Sequence, residues 1–140
     1  MESDKKVVID TNLFVRYLTG DDPQKAAAVD RLLESALKGD LQIVVPSIVV
    51  AELVWVLESF YQMAEVDIAG LVAAIMDTPG VEVTEKPLIN AALKLYRTSN
   101  IDLVDAWIIE FAKARGIKTI YTFDKKHFKR IEGVETKTPL

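Results

Sequence analysis

Short apolar runs alternate along the chain with longer stretches in which apolar residues recur at helical spacing. The short runs are rich in β-branched residues, which favours strands, and the longer stretches predict amphipathic helices. The predicted strands are residues 5–9, 42–45, 81–83, 118–122 and 134–136. The predicted helices are residues 11–19, 23–38, 47–61, 65–77, 87–98 and 102–115, with a further helical turn after Asp124.

Start and stop residues support several of these helices. Asp22 and Pro23 open the second helix, and Gly39 ends it. Ser47 is predicted to cap the third helix, and Asp102 is predicted to cap the sixth, because both side chains accept hydrogen bonds from free backbone N–H groups.

Strands that alternate with helices of ten or more residues predict βαβ units and a mostly parallel sheet with helices on both faces. The expected fold is therefore a three-layer α/β/α sandwich. The 140 residues are 50% hydrophobic, and no repeat or linker interrupts them, so we expect a single domain over residues 1–140. Ligands of such sheets bind outside the carboxyl ends of the strands, which makes the residues there the candidates for function.

Four carboxylates fall near these predicted positions. Asp10 and Asp124 each follow a predicted strand. Glu52 is the one polar residue between Ile48 and Leu57, so we expect it to be buried or to lie at a cleft. Asp105 precedes the apolar run AWII and is expected close to the core.

Each of these acids also has a purely structural interpretation. Asp10 and Asp124 are suitable helix or turn caps, and Glu52 could pair with one cation or face solvent. Asp102 and Asp105 both favour the dipole of the helix that they begin, and Asp102 fits a purely structural cap. The four together are more informative, because carboxylates that meet at one sheet edge repel each other unless a cation lies between them.

The chain has no cysteine and one histidine, His127, so a metal here would be held by oxygen ligands. Carboxylate oxygens favour Mg²⁺ or Mn²⁺. A metal site of this kind suits phosphodiester hydrolysis, in which a metal-activated water attacks the phosphorus.

The net charge of −4 is unevenly distributed. Residues 1–112 carry −9 and residues 113–140 carry +5, which suits an acidic metal site beside a surface that binds a polyanion, although ordinary solvated surface would give the same pattern. The candidate phosphate-binding residues are Lys125, Lys126, Lys129 and Arg130. The longest apolar stretch, residues 41–57, is too short and too polar to span a bilayer, and the polar start MESDKK has no apolar region behind it, so we expect a cytoplasmic protein.

Four blocks in order resemble the PIN-domain family, and most closely its VapC-type toxins. The blocks are VVIDTN (7–12), PSIVVAEL (46–53), DLVDAWII (102–109) and YTFDKKHF (121–128). The resemblance places the catalytic, metal-binding acids at Asp10, Glu52, Asp105 and Asp124, with Thr11, Asn12, Asp102 and Thr122 beside them. It implies a Mg²⁺- or Mn²⁺-dependent ribonuclease that forms a homodimer and is neutralised by an antitoxin protein.

Two alternative classes do not fit these residues, and a third, a PIN fold without catalytic activity, remains open. A haloacid dehalogenase-type phosphatase needs a second Asp at position 12, where this chain has Asn12, and a response-regulator receiver needs an acidic pair after its first strand. A PIN fold that only binds RNA or protein usually lacks some of the acids. Independently of the resemblance, the helix 47–61 is apolar on all sides and carries Trp55, which favours a second copy of the chain packed against it.

Overall fold

The structure is a computed structural model that describes residues 5–124 and 131–140. Within these residues the elements are β1 (Lys6–Val8), α1 (Thr11–Thr19), α2 (Pro23–Leu37), β2 (Gln42–Val45), α3 (Ser47–Ser59), α4 (Glu65–Met76), β3 (Val81–Val83), α5 (Lys86–Ser99), α6 (Leu103–Ala114), β4 (Thr119–Tyr121) and β5 (Glu135–Lys137). Each strand and helix predicted from the pattern is confirmed to within two residues at either end. The helical turn predicted after Asp124 lies outside the described residues.

All the strand pairs of the described residues are parallel, which confirms the α/β class with a parallel sheet. The chain divides into two compact units, one that ends at Lys86 and one that begins at Pro87. In the first unit the strand order is β1-β2-β3, and Ile43 of β2 pairs with Val7 on one side and with Val81 on the other. In the second unit β4 pairs with β5. The interpretation of residues 1–140 as a single domain stays a prediction.

The core of the first unit is built around β2. Ile43 and Val45 are almost completely buried, and so are Phe14 of α1, Leu57 of α3 and Ile68 of α4. These are the apolar positions of one face of each helix, so the burial follows from the amphipathic pattern.

The second unit buries the corresponding faces of its two helices. Ile89 and Tyr96 of α5 and Ala106 and Ile109 of α6 have no exposed surface, and Ile120 of β4 is also buried. Among the described residues, no helix is long and apolar enough to cross a bilayer.

Ser47 does not cap α3 as predicted, because it is the first residue of the helix and Pro46 occupies the cap position. Ser47 instead forms two hydrogen bonds with residues that follow β3. Its backbone N–H donates to Thr84 Oγ1 at 2.8 Å, and its hydroxyl donates to Glu85 Oε1 at 2.9 Å. The start of α3 is therefore fixed to the residues that follow β3, rather than by a cap within its own turn.

Candidate active site

Asp10 lies at the carboxyl end of β1, where it caps α1. Its backbone is extended (φ −92°, ψ 172°), and its Oδ1 accepts the backbone N–H of Asn12 at 3.2 Å. The residue is exposed. Asp10 is therefore a helix cap, as its structural interpretation predicted. Its carboxylate is still accessible at the sheet edge where a functional site was predicted.

Glu52 is exposed, so of the two expected placements, in the core or at a cleft, the buried one is wrong. It lies in the second turn of α3 on the same face as Ile48 and Trp55, whose side chains are 75% and 59% exposed. The helix buries its opposite side, including Leu53 and Leu57, against the core of the first unit. One apolar face of α3 therefore lies in the core, and the other is exposed at the surface. Because both faces are apolar, the sequence pattern alone does not show which of them is buried.

Asp10 and α3 are brought to one edge of the sheet by the parallel pairing of β1 with β2. Asp10 follows β1, and α3, which carries Glu52, begins two residues after β2. This arrangement agrees with the predicted placement of the first two acids.

In the second unit, Asp105 is half-buried in the first turn of α6. Asp102 occupies the cap position of that helix and is exposed, and its backbone carbonyl accepts the N–H of Ala106 at 2.8 Å. The Asp102 side chain makes no capping hydrogen bond, so the prediction of a side-chain cap at Asp102 is wrong.

Asp124 follows β4 and is exposed. Its backbone N–H donates to Thr122 Oγ1 at 3.0 Å, and the Thr122 backbone N–H donates to the Lys137 carbonyl at 2.9 Å. The Thr122 hydroxyl therefore shapes the turn that carries Asp124. Its predicted place beside a metal stays a prediction.

Thr11 and Asn12 begin α1 directly after Asp10. Thr11 is a buried polar residue, 6% exposed, whereas Asn12 is exposed. Lys125, Lys126, Lys129 and Arg130, the candidate phosphate-binding residues, and His127 lie outside the described residues.

The donor set of the four acids fits a hard divalent cation, because Asp10, Glu52, Asp105 and Asp124 offer carboxylate oxygens and each is at least partly accessible. Across residues 5–124 and 131–140, the structure has no ready-made group of three or more Asp, Glu or His side chains that could hold a metal ion. The convergence of all four acids on one ion stays a prediction.

A network at the end of α1 was missed by the sequence analysis. Asp21 Oδ2 accepts a hydrogen bond from the Tyr61 hydroxyl at 2.7 Å and one from Arg16 Nη1 at 2.9 Å. These bonds, from Tyr61 first and then from Arg16, lower the pKa of Asp21 to about 2. The guanidinium of Arg16 in turn has a raised pKa because of its hydrogen bond and charge interaction with Asp21.

No local sequence pattern predicts this network of Arg16, Asp21 and Tyr61. Arg16 fits the polar face of an amphipathic helix, and Asp21 stands beside the Asp22-Pro23 helix start. Tyr61 lies 40 positions further along the chain than Asp21, so no local spacing connects them.

The described residues, in which helices alternate with parallel strands and acids follow the strand ends, form an α/β fold. The sequence profile of the PIN domain matches residues 7–134. A VapC ribonuclease of Aquifex aeolicus (strain VF5) is 30% identical over 132 residues, which is 94% of this chain and 96% of that protein. The chain belongs to the PIN-domain family.

A solved structure also aligns over most of its length. This is the crystal structure of VapBC2 from Rickettsia felis bound to a DNA fragment from their promoter. The alignment with one of its chains covers 95% of this chain and 98% of that chain, with 17% identity and a TM-score of 0.39.

Proposed function

We propose that this protein is a metal-dependent endoribonuclease and the toxin of a toxin–antitoxin pair. The observation that carries the proposal is membership of the PIN-domain family together with near full-length similarity to a VapC ribonuclease. The acids at positions 10, 52, 105 and 124 are all present, as the family pattern requires. The substrate is RNA, and the protein acts in the cytoplasm.

Asp10, Glu52, Asp105 and Asp124 would hold Mg²⁺ or Mn²⁺. The ion, when bound, lowers the pKa of a water and neutralises charge on the scissile phosphate. Asp10 is held in place by the N–H of Asn12, which leaves its second carboxylate oxygen for another ligand. Asp105 is half-buried, so it is better shielded from water than the other three acids.

Two protein partners belong to the proposal. The first is an antitoxin, which follows from the proposed toxin function. The second is another copy of this chain, packed on the exposed face of α3. Ile48, Trp55 and Phe60 expose 75%, 59% and 72% of their surface, and the rings of Trp55 and Phe60 meet edge to face at 5.8 Å between centroids. Apolar side chains this exposed and this close together are typical of an interface.

RNA cleavage with purified protein tests the proposal. We expect cleavage with Mg²⁺ or Mn²⁺, loss of cleavage in EDTA, and recovery when either ion is restored. Asp10→Asn removes one charge and little volume, so it should abolish cleavage while the protein still folds and binds RNA. Asp40→Asn is the matched control, because Asp40 is an exposed acid in the turn after α2.

Complete cleavage in EDTA would contradict the metal dependence. RNA binding without cleavage in any metal would favour a PIN fold that only binds. Expression in a bacterial host should stop growth for the wild type and not for Asp10→Asn, and growth should recover when the antitoxin is supplied.

A further inference from the structure

A pocket of about 320 Å³ lies between α1 and α2 in the first unit. Its lining combines two cations, one amide and an apolar wall: Asn12, Leu13, Arg16, Lys25, Ala28, Val29 and Leu32. Small-molecule sites have this composition, with a mainly apolar surface and a few polar groups that fix orientation, and they begin at about 300 Å³.

The pocket begins beside the candidate active site. Asp10 caps α1, and Asn12, which lines the pocket, donates its backbone N–H to Asp10. A helix rises about 1.5 Å per residue, so Arg16 lies about 9 Å along α1 from Asp10. A ligand group in the pocket is therefore close to any phosphate that reacts at Asp10.

Arg16 is a pre-positioned cation in this wall. Its Nη1 is fixed by Asp21 at 2.9 Å, and Asp21 is itself fixed by the Tyr61 hydroxyl. Its Nε is buried and has no hydrogen-bond partner in the part of the chain that the structure describes. Because the buried Nε has almost no contact with solvent, a ligand in the pocket would meet the guanidinium through its terminal nitrogens, which the bond to Asp21 holds in place.

Lys25 supplies the second cation from the first turn of α2. Its ammonium is 3.9 Å from the Asp22 carboxylate, and its side chain is 62% exposed. At this distance and exposure the pair is weak, so Lys25 can turn to a phosphate at small cost. Leu13, Val29 and Leu32 offer an apolar surface for a flat ring, and the Asn12 amide has both a donor and an acceptor for a base edge.

We propose that this pocket binds one nucleotide of the RNA substrate beside the cleaved bond, with Arg16 and Lys25 on its phosphate and its base against the wall of α2. The inference rests on the proposed ribonuclease function. The combination of an apolar wall with cations favours a nucleotide over an acidic protein side chain, which has a carboxylate and no ring. The pocket then contributes to which RNA is chosen.

Two neighbouring alanines of α2 give a matched test. Ala28 lines the pocket and Ala27 does not, and both are exposed. Ala28→Leu fills the pocket, whereas Ala27→Leu adds the same group outside it. Binding of a short fluorescent single-stranded RNA is measured in EDTA, so that no cleavage occurs. We expect Ala28→Leu to weaken binding by about ten-fold and Ala27→Leu to change it by less than about two-fold.

The contribution of Lys25 is tested separately, by the salt dependence of RNA binding. Lys25→Ala should reduce the log–log salt slope of RNA binding by about 0.7, the loss of one phosphate contact. Lys38→Ala, at the other end of α2 and outside the pocket, should leave the slope unchanged. AMP should displace the RNA from the wild type at concentrations at which inorganic phosphate does not, because only AMP supplies a base.

The outcomes separate this inference from the function on which it rests. Equal RNA affinity for Ala28→Leu and Ala27→Leu would overturn the pocket, even if the wild type cleaves RNA with Mn²⁺. Weaker binding for Ala28→Leu in a protein that cleaves no RNA would support the pocket and contradict the nuclease. No binding of RNA by the wild type in EDTA would overturn the pocket, and only a further lack of cleavage with Mn²⁺ would also contradict the nuclease. Displacement by a polyglutamate peptide and not by AMP would assign the pocket to a protein carboxylate and overturn the nucleotide.

Discussion

The hydroxyl of Tyr61 donates a 2.7 Å hydrogen bond to Oδ2 of Asp21. This bond joins the segment just after α3 to the loop between α1 and α2. The same oxygen accepts from Arg16, so three elements of the first unit meet at one carboxylate. Since both bonds favour the ionised form, they lower the pKa of Asp21 to about 2.

This lowered pKa makes a definite prediction for acid stability. The unfolded chain has an Asp pKa of about 3.9, so Asp21 stabilises the folded state above that pH. The contribution should be lost as the pH falls from about 4 to about 2, when the carboxylate becomes protonated. Urea unfolding of the wild type and of Asp21→Asn across this window should show a difference that shrinks towards the acid end.

Tyr61→Phe should reduce the same difference in part, because it removes the bond with the largest effect on the pKa of Asp21. Asp40→Asn serves as the control for the loss of one exposed acid. Identical pH profiles for the wild type and Asp21→Asn would show that the network does not stabilise the fold.

Gly80 and Gly70 should respond in opposite directions to the same substitution. Gly80 has φ +86°, and a Cβ built on it would clash with the Ala36 carbonyl oxygen. Gly70 lies in α4 and is exposed, and beyond its own stretch of helix no atom of the described residues lies within 4 Å of such a Cβ. We expect Gly80→Ala to lower the free energy of unfolding by about 2–4 kcal/mol.

Gly70→Ala should raise the free energy of unfolding by about 0.5–1 kcal/mol, because alanine restricts the unfolded chain and favours helix. Urea unfolding of both variants measures the two effects. A stable Gly80→Ala protein would mean that β3 begins further from the end of α2 than the structure shows.

Asp105 and Asp102 share one helix start but should differ in function. Asp102 makes no side-chain cap, so Asp102→Asn should change stability by less than about 0.5 kcal/mol and keep much of the activity. Asp105→Asn should abolish RNA cleavage with Mn²⁺ and preserve or raise the melting temperature in metal-free buffer, where carboxylate repulsion is relieved.

Melting temperatures without metal and cleavage rates with Mn²⁺ decide between the two acids. An inactive Asp102→Asn beside an active Asp105→Asn would reverse the assignment of the third acid.

The exposed face of α3 predicts how the chain associates. Trp55→Glu places a charge at the centre of that face and should shift the protein towards monomer in sedimentation equilibrium. Leu37→Glu is the control, since Leu37 at the end of α2 is 60% exposed and Trp55 is 59% exposed. A wild type that stays monomeric at micromolar concentration would contradict the proposed dimer.

The bounds of the elements were predictable because their causes are local. Asp22 caps α2 through Lys25 N–H, and Gly20 ends α1 in the left-handed conformation, as residue type and spacing suggest. Ser47 was misassigned because its partners, Thr84 and Glu85, are distant in sequence.

The site was predictable in part. The placement of Asp10 at a strand end follows from the pattern of the first unit. The exposure of Glu52 does not follow from the pattern, because periodicity cannot distinguish an apolar helix face that contacts solvent from one that packs in the core. The joint action of the four acids depends on the tertiary arrangement and stays a prediction.

The parallel pairing of β1 with β2 also affects how the chain is made. Position 6 pairs with position 42, and at about 5–20 residues per second the ribosome takes about 2–7 s to synthesise the stretch between them. During that interval α1 and α2 can form from local contacts, while the first strand has no neighbour to accept its backbone hydrogen bonds. A nascent chain therefore carries β1 without its partner until β2 has been made, and neighbouring ribosomes on one messenger RNA would hold several such unpaired strands close together.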